Sequence, residues 1–295
     1  AANYLPNNLV IFDAKNLKPI KVIDVLGPSG KASRVSAVYN APPRNSFIAA
    51  LKDIKEVWEI NYEDIPPAGF AGWEHDYNKE SGDVVKPEPF PIRKITVSAY
   101  LDDFFFNQDY SLLFGASREG EGLILSLDAR KEIGRLDVPG MPHLGSGITW
   151  NYQGKEVMAT PNLKDGKVSI IDMENWTTIK HIETKGPGFF MRSHENTPYA
   201  WVDVFFGPNK DLMHVIDKNT LEIVKTLQPV PGKTAAHIEF TKDGRYALMS
   251  IWDKDGALII YDAKTLQEVK RLPMSKPSGK YNVFNKTTYS RGTSH

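Results

Sequence analysis

The amino-acid sequence predicts an all-β protein of the β-propeller class. Three observations carry the prediction: a phrase that recurs at blade-length intervals, a hairpin after each copy, and a near absence of helical periodicity. The phrase is a short β-rich run closed by an aspartate. It reads Leu9-Val-Ile-Phe-Asp13, Leu123-Ile-Leu-Ser-Leu-Asp128, Val168-Ser-Ile-Ile-Asp172, Met213-His-Val-Ile-Asp217 and Leu258-Ile-Ile-Tyr-Asp262. From Asp128 onward the copies stand 44, 45 and 45 residues apart. An interval of that length holds about four short strands, which is one propeller blade.

Each copy passes through a polar turn into a second alternating run. After Asp262 come Ala263-Lys-Thr-Leu266 and then Glu268-Val-Lys-Arg-Leu272. This predicts a hairpin with the aspartate at its turn, where the carboxylate accepts nearby backbone N–H groups. A weaker copy, Val57-Trp-Glu-Ile-Asn61, puts Asn in the Asp slot. More than 60 residues separate it from Asp128, and the Pro- and Gly-rich stretch 66–91 within them reads as an insertion loop between strands. That loop is either a solvated connection or a lid over a ligand, the second option resting on Trp58, Phe70 and Trp73.

Six phrases thus represent about six blades, and Lys280-Tyr-Asn-Val-Phe-Asn285 adds a lone strand. The chain opens directly on a blade's third strand, without inner strands before it. Since a propeller closes by pairing terminal strands, either further blades precede Ala1 or six unequal blades close on their own.

Composition narrows the chemistry. Of 295 residues 41% are hydrophobic, enough for a large core. Thirty-six basic and 36 acidic residues cancel, so no net field favours nucleic acid or an anionic membrane as partner. No cysteine is present, which excludes disulfides, zinc–cysteine sites, iron–sulfur clusters and covalent c-type heme attachment within these residues. Any heme must be held non-covalently. No apolar run approaches the ~18 residues of a membrane helix, so membrane attachment would need an anchor upstream of Ala1. Phosphate loops, nucleophile elbows, His-Glu-x-x-His and EF-hand motifs are absent, and Gly115-x4-Gly120 lacks the helix that a dinucleotide site requires.

Several stretches carry a family resemblance. Lys276-Pro-Ser-Gly-Lys-Tyr-Asn-Val-Phe-Asn285 resembles the closing segment of the heme d1 domain of cytochrome cd1 nitrite reductases, and Ala1 to Ile23 resembles a mid-domain stretch. Gly140-Met-Pro-His143-Leu-Gly-Ser-Gly147, Gly186-Pro-Gly-Phe-Phe190-Met-Arg-Ser-His194 and Ala247-Leu-Met-Ser-Ile-Trp252 fall between them in matching order. The resemblance covers essentially the whole chain as a single domain, 1–295. It implies an eight-bladed propeller whose first two blades precede Ala1 and carry the iron's axial ligand, so no metal ligand is assigned within these residues. It also implies non-covalent binding of heme d1 or dihydro-heme d1.

The resemblance further implies roles for particular residues. The two distal histidines of the nitrite reductases align with Lys52 and Asp102. Two imidazoles suit a proton-consuming reduction near neutral pH, whereas Lys and Asp at their ordinary pKa values are charged and locked together. This points away from nitrite reduction and makes Lys52 and Asp102 candidate catalytic residues facing the tetrapyrrole, or else a structural salt bridge. Arg34 and Arg192 are candidate grips for its carboxylates, since a guanidinium holds a carboxylate by two bonds; the alternative for each is an ordinary surface arginine. His143, in a Gly-rich turn, and His237 match polar pocket positions. Phe190 and Trp252 fit aromatic cofactor walls, whereas Phe189 reads as packing between blades. Ser278 and Gly279 mark a last loop that lets backbone approach a ligand. His194 reads as a residue of a blade-connecting turn.

The tail Ser290-Arg-Gly-Thr-Ser-His295 resembles that of NirF-type heme d1 biogenesis proteins. The sequence is thus expected to bind a late tetrapyrrole precursor and act in its maturation, as an enzyme altering a side chain or redox state. The alternatives are a non-catalytic carrier, a nitrite reductase fragment, and a cofactor-free interaction scaffold. By resemblance it is periplasmic, with a lipidated N-terminus. Other heme d1 biogenesis proteins or nitrite reductase are its expected partners, and a homodimer its expected assembly.

Overall fold

The computed structural model describes residues 1–63, 88–117, 119–120 and 122–278. Among these, 23 strands form six antiparallel sheets, the blades of a β-propeller fold, each a simple meander. The first holds β1 (Ala2–Asn3), β2 (Asn8–Phe12) and β3 (Pro19–Asp24). The second holds β4 (Val35–Ala41), β5 (Ser46–Leu51), β6 (Glu56–Asn61) and β7 (Ile92–Thr96). The third holds β8 (Asp103–Phe106), β9 (Leu112–Ala116), β10 (Gly122–Ser126) and β11 (Lys131–Leu136). The fourth runs β12 (Ile148–Tyr152), β13 (Lys155–Pro161), β14 (Lys167–Asp172) and β15 (Thr177–Glu183). The fifth runs β16 (Met191–Ser193), β17 (Tyr199–Asp203), β18 (Met213–Asp217) and β19 (Glu222–Leu227). The sixth runs β20 (Ala235–Phe240), β21 (Tyr246–Ile251), β22 (Ala257–Asp262) and β23 (Glu268–Pro273).

The recurring phrase is the third strand of each four-stranded blade: β6, β10, β14, β18 and β22. By the same pattern β2 is a third strand, and the two-residue β1 stands before it, a strand that the sequence pattern did not show. The 66–91 loop joins β6 to β7, and most of it, with the lone strand Lys280–Asn285, lies outside the described residues.

The turn chemistry repeats as expected. Asp13 Oδ1 accepts the N–H groups of Lys15 and Asn16, Asp172 Oδ1 those of Glu174 and Asn175, Asp217 Oδ1 those of Asn219 and Thr220, and Asp262 Oδ1 those of Lys264 and Thr265, all at 2.7–3.3 Å. In all four turns the residue four places after the aspartate returns its N–H to the aspartate carbonyl: Leu17, Trp176, Leu221 and Leu266, at 2.8–2.9 Å. All four sit at φ between 57° and 59°, the left-handed region where a Cβ costs about 1–2 kcal/mol. A bulge follows, and the register of β2–β3, β14–β15, β18–β19 and β22–β23 shifts there.

Glycine would relieve that strain, and burial decides where it is tolerated. Leu221 is 1% exposed and Leu17 is 74% exposed. Leu221→Gly is therefore expected to destabilise by about 2–3 kcal/mol through lost burial, whereas Leu17→Gly stabilises by about 0.5–1 kcal/mol. Urea denaturation of the two variants should give midpoints that move in opposite directions.

The chain forms two compact units, Ala1–Ser117 with Leu123–Ile133, and Arg118–Gly122 with Gly134–His295. Within the first, Leu9, Ile23, Val35, Leu51 and Trp58 join the first blade to the second, and Ile48, Val57, Phe104, Leu113 and Leu123 join the second to the third. Within the second, Ile148, Ile170, Met191 and Val202 join the fourth blade to the fifth, and Trp201, Val215, Phe240 and Met249 join the fifth to the sixth. Alternating inward residues of facing sheets thus make each core.

One buried histidine gives the second unit an acid-sensitive joint. His214, on β18 and 1% exposed, bonds Thr226 Oγ1 through Nδ1 at 2.8 Å, and its Nε2 accepts the N–H of Lys185 at 3.0 Å. Accepting at Nε2 requires the neutral ring, and burial pushes its pKa from 6.5 down to about 4. The unfolded chain binds a proton through that window and the folded chain does not. Stability present above pH 6.5 is therefore lost as pH falls towards 4, by up to about 3 kcal/mol. Chemical denaturation at pH 7 and pH 4.5 should show this loss, and His214→Gln should flatten it.

Candidate functional site

In a meander blade, the connections from strand one to two and from three to four share one end. The connection from two to three and the crossover to the next blade share the other. The aspartate turns occupy the first kind of end. Arg34 precedes β4, Asp102 precedes β8, His143 precedes β12 and Phe190 precedes β16, all in crossovers. Lys52 and Trp252 lie in the β5–β6 and β21–β22 hairpins, and Arg192 and His237 stand on the innermost strands β16 and β20. The predicted site residues thus share the second kind of end, or the strands that rise to it.

In the second unit these connections build an aromatic surface. His143 stacks on Phe189 with ring centroids 4.3 Å apart, and its Nδ1–H donates to the Phe189 carbonyl at 2.5 Å. Phe189 meets Phe190 edge-to-face at 4.4 Å, Phe205 at 5.3 Å and Phe206 at 5.8 Å. Phe205 extends the surface to Trp252 at 5.5 Å. Trp252 is 40% exposed and Phe206 38%, while Phe189, Phe190, Phe205 and His143 are half-buried. Apolar rings left this open at the end of a blade offer a flat ligand a large contact area.

Asp203, at the end of β17 and fully buried, pins this surface. Its Oδ1 accepts the N–H groups of Phe189 (2.8 Å) and Phe190 (3.0 Å), and its Oδ2 accepts the His237 N–H (3.4 Å). His237 has φ +53° and sits where the β20–β21 register slips between Ala236 and Glu239. That bulge turns its ring onto Phe190, 4.5 Å away. Gly188 is required beside it, because a Cβ there would stand 2.8 Å from the Asp203 carbonyl oxygen. Arg192 is buried, with Nε 3.7 Å from Glu239 Oε2. Ser278 is exposed, and its carbonyl accepts a 3.4 Å bond from Ser250 Oγ. Gly279 lies outside the described residues.

In the first unit a charged cluster gathers at the same kind of end. Lys52 Nζ donates to Asp102 Oδ1 at 2.9 Å, both side chains being largely buried. Arg34 closes a two-bond fork on Asp53, Nε to Oδ2 at 2.9 Å and Nη2 to Oδ1 at 2.6 Å. The fork holds the Asp53 carboxyl down at about 2. Tyr4, in the β1–β2 turn, places its ring 5.4 Å from the Arg34 guanidinium and 5.8 Å from Lys52 Nζ.

The structure thus brings together His143, Phe190, His237 and Trp252, with Arg192 beneath them, and separately Arg34, Lys52 and Asp102. Phe189, expected between blades, instead lies at the centre of the aromatic surface, because the crossover before β16 carries it past the blade's end. His194, expected in a turn between blades, lies instead in the β16–β17 turn within the fifth blade. The sequence reading missed Asp203, Phe205, Phe206 and Tyr4. The doublet Phe205-Phe206 before Gly207-Pro208 was the available signal, since it copies Phe189-Phe190 after Gly186-Pro-Gly188. Among the described residues no group of three or more His, Asp or Glu is arranged to hold a metal ion.

Comparison with known proteins places the chain in a family. The family model of the cytochrome D1 heme domain matches residues 1–286. The chain belongs to that family. Over 294 residues this heme domain is 52% identical to the dihydro-heme d1 dehydrogenase of Pseudomonas aeruginosa, a match covering 99% of the chain and 55% of the dehydrogenase. It is 29% identical over 282 residues to protein NirF of Stutzerimonas stutzeri, covering 94% of the chain and 67% of NirF. Among solved structures it resembles the dihydro-heme d1 dehydrogenase NirN in complex with DHE, with a TM-score of 0.86 and 51% identity over 97% of this chain and 57% of that one. The heme domain spans little more than half the length of the dehydrogenase. A NirF-type assignment from the tail Ser290–His295 is therefore not supported, because a few terminal residues weigh less than identity along the whole chain.

Proposed function

We propose that this chain is the tetrapyrrole-binding domain of a dihydro-heme d1 dehydrogenase. The observation that carries the reading is the 52% identity to such an enzyme along 99% of the chain, against 29% to NirF. The open aromatic surface of the second unit fits the group chemically, being apolar, ring-lined and edged by His143. Phe189, Phe190, Phe205 and Trp252 would wall a macrocycle, and His143 and His237 would meet its polar edge. The bound tetrapyrrole supplies the atoms to be dehydrogenated and a conjugated path for electrons.

Loss of two hydrogens releases two electrons to an acceptor and two protons to bases. By the family resemblance that aligns the Lys52–Asp102 pair with distal histidines, Asp102, oriented by the hydrogen bond from Lys52 Nζ, is the base this reading assigns. Arg34 is tied to Asp53 by its two-bond fork, so it braces the charged cluster of the first unit. Lys52 and Asp102, where nitrite reductases carry histidines, also speak against nitrite reduction. By the same family resemblance the protein works in the periplasm.

Anaerobic titration of the full-length protein with dihydro-heme d1, followed by absorption, tests binding. Addition of a one-electron acceptor and measurement of product mass tests conversion. The dehydrogenase reading expects stoichiometric binding and a product lighter by two hydrogens, formed faster than without protein. Binding with unchanged mass in the presence of the acceptor would replace it with the carrier reading.

A further inference from the structure

The second unit holds a cavity at the other end of its blades, where the aspartate turns lie. It measures about 420 Å³ and is lined by Trp150, Glu195, Asn196, Pro198, Lys218 and Asn219 among others. These residues come from the end of β12 and from the turns after β16 and β18, so the cavity does not belong to the aromatic surface.

Lys218 is the unusual member. It follows Asp217 directly in a turn, a place where lysine normally reaches into water, yet it is only 8% exposed. Its backbone is held on both sides: its N–H donates to the Pro198 carbonyl at 2.9 Å, and its carbonyl accepts the Trp150 Nε1–H at 3.0 Å. Its ammonium donates one hydrogen bond, to the His194 carbonyl at 3.0 Å. That carbonyl belongs to a fixed turn, because His194 Nε2 bonds the Lys242 carbonyl and Nδ1 accepts the Asn196 N–H. An ammonium has three donors, and among the described residues no carboxylate lies within ion-pair distance of this one. Asp217 and Glu195 are the acidic groups near enough to act on it through space. Burial outweighs both and pulls the lysine down to about 8, so at neutral pH the group is charged but poorly solvated.

We propose that this cavity is a second ligand site, taking a small carboxylate whose acid group completes the hydrogen bonding of Lys218 and whose planar or apolar body lies along Pro198 and the edge of Trp150. A carboxylate supplies the acceptors that water-poor Lys218 lacks, and a charge-assisted bond gains most where solvent is excluded. Glu195 opposes such a ligand, but it is exposed, so water and salt screen its charge. The same arrangement disfavours a cation, which would meet the buried ammonium.

Calorimetric titration of the full-length protein with benzoate, and with neutral benzamide, tests the site. Saturable benzoate binding is expected in the millimolar range, with benzamide weaker by about tenfold or more. Lys218→Met should weaken benzoate by at least about tenfold, and Glu195→Gln should tighten it about two- to threefold. Glu195 is exposed and its replacement leaves the fold undisturbed, so that arm reads out even where Lys218→Met alters stability. Absence of saturable binding, equal affinity for benzamide, retention of binding in Lys218→Met, or no tightening in Glu195→Gln would each overturn the proposal.

Discussion

On the proposed dehydrogenase reading, Asp102→Asn is expected to slow dihydro-heme d1 oxidation by about 10²- to 10⁴-fold, the range lost with a positioned general base, while the tetrapyrrole still binds. The pair is held by backbone as well as by charge. The Lys52 N–H donates to the Arg34 carbonyl, and the Asp102 N–H donates to the Ala116 carbonyl, each at 2.9 Å. These bonds fix both backbones, and the two side chains meet from there. A purely structural ion pair would behave differently, and a double variant separates the two roles. Replacing a partly buried ion pair by apolar residues of similar size is often close to neutral for stability. Lys52→Met with Asp102→Leu should therefore keep near-normal stability and tetrapyrrole binding yet lose turnover. If the double variant, correctly folded and loaded, turned over at the normal rate, the catalytic role of the pair would be gone. Turnover is followed by absorption with an electron acceptor in excess, and stability by urea denaturation.

Glu59→Ala should cost about 3–5 kcal/mol, the largest stability loss expected of a single change in the first unit. Glu59 stands in the middle of β6 and is 1% exposed. Its Oε1 accepts Arg44 Nε at 2.9 Å, and its Oε2 accepts Arg93 Nε at 3.0 Å and a further bond from Arg93 Nη2. The two arginines then reach into the third blade, Arg44 to Asp128 Oδ1 at 2.5 Å and Arg93 to the Leu127 carbonyl at 3.2 Å. One carboxylate thus organises a staple between neighbouring blades. Removing it leaves two guanidinium groups largely buried, facing each other without their shared counter-charge. Glu59→Gln keeps the shape and one acceptor, so its loss should be smaller. Guanidinium chloride melts of both variants give the comparison; a loss under 1 kcal/mol for Glu59→Ala would show that water and Asp128 suffice for the arginines.

The staple also shows where sequence reading stops. Asp128 carries the recurring phrase as well as any copy, yet its carboxylate goes to Arg44, and Ser126 Oγ accepts the Ala129 N–H in that turn instead. A local pattern predicts a local bond; it has no access to an arginine 84 positions away. For the same reason the four-stranded blades were legible, being set by alternation and turn chemistry within about 45 residues. Phe190 and Trp252 were found through resemblance, and His143 through its Gly-rich turn. Asp203 was not, because a carboxylate closing a strand looks like any other turn aspartate until the crossover before β16 folds over it. The left-handed residues Leu17, Trp176, Leu221 and Leu266 were hidden by type: glycine normally marks that conformation, and here the side chains of Leu221 and Leu266 are buried while holding it.

The regular turns have a consequence for how such a domain can change. In the blades that carry them, the register-setting bonds run from the aspartate carboxylate and carbonyl to the next few backbone groups, and they sit at the end away from the aromatic surface and the Lys52–Asp102 pair. A blade therefore keeps its own alignment whatever is written into its opposite connections. Transplanting the crossover before β16 together with the β17–β18 hairpin from a homologue should exchange ligand preference and leave the scaffold's register intact, so chemistry and architecture in this protein are separately heritable.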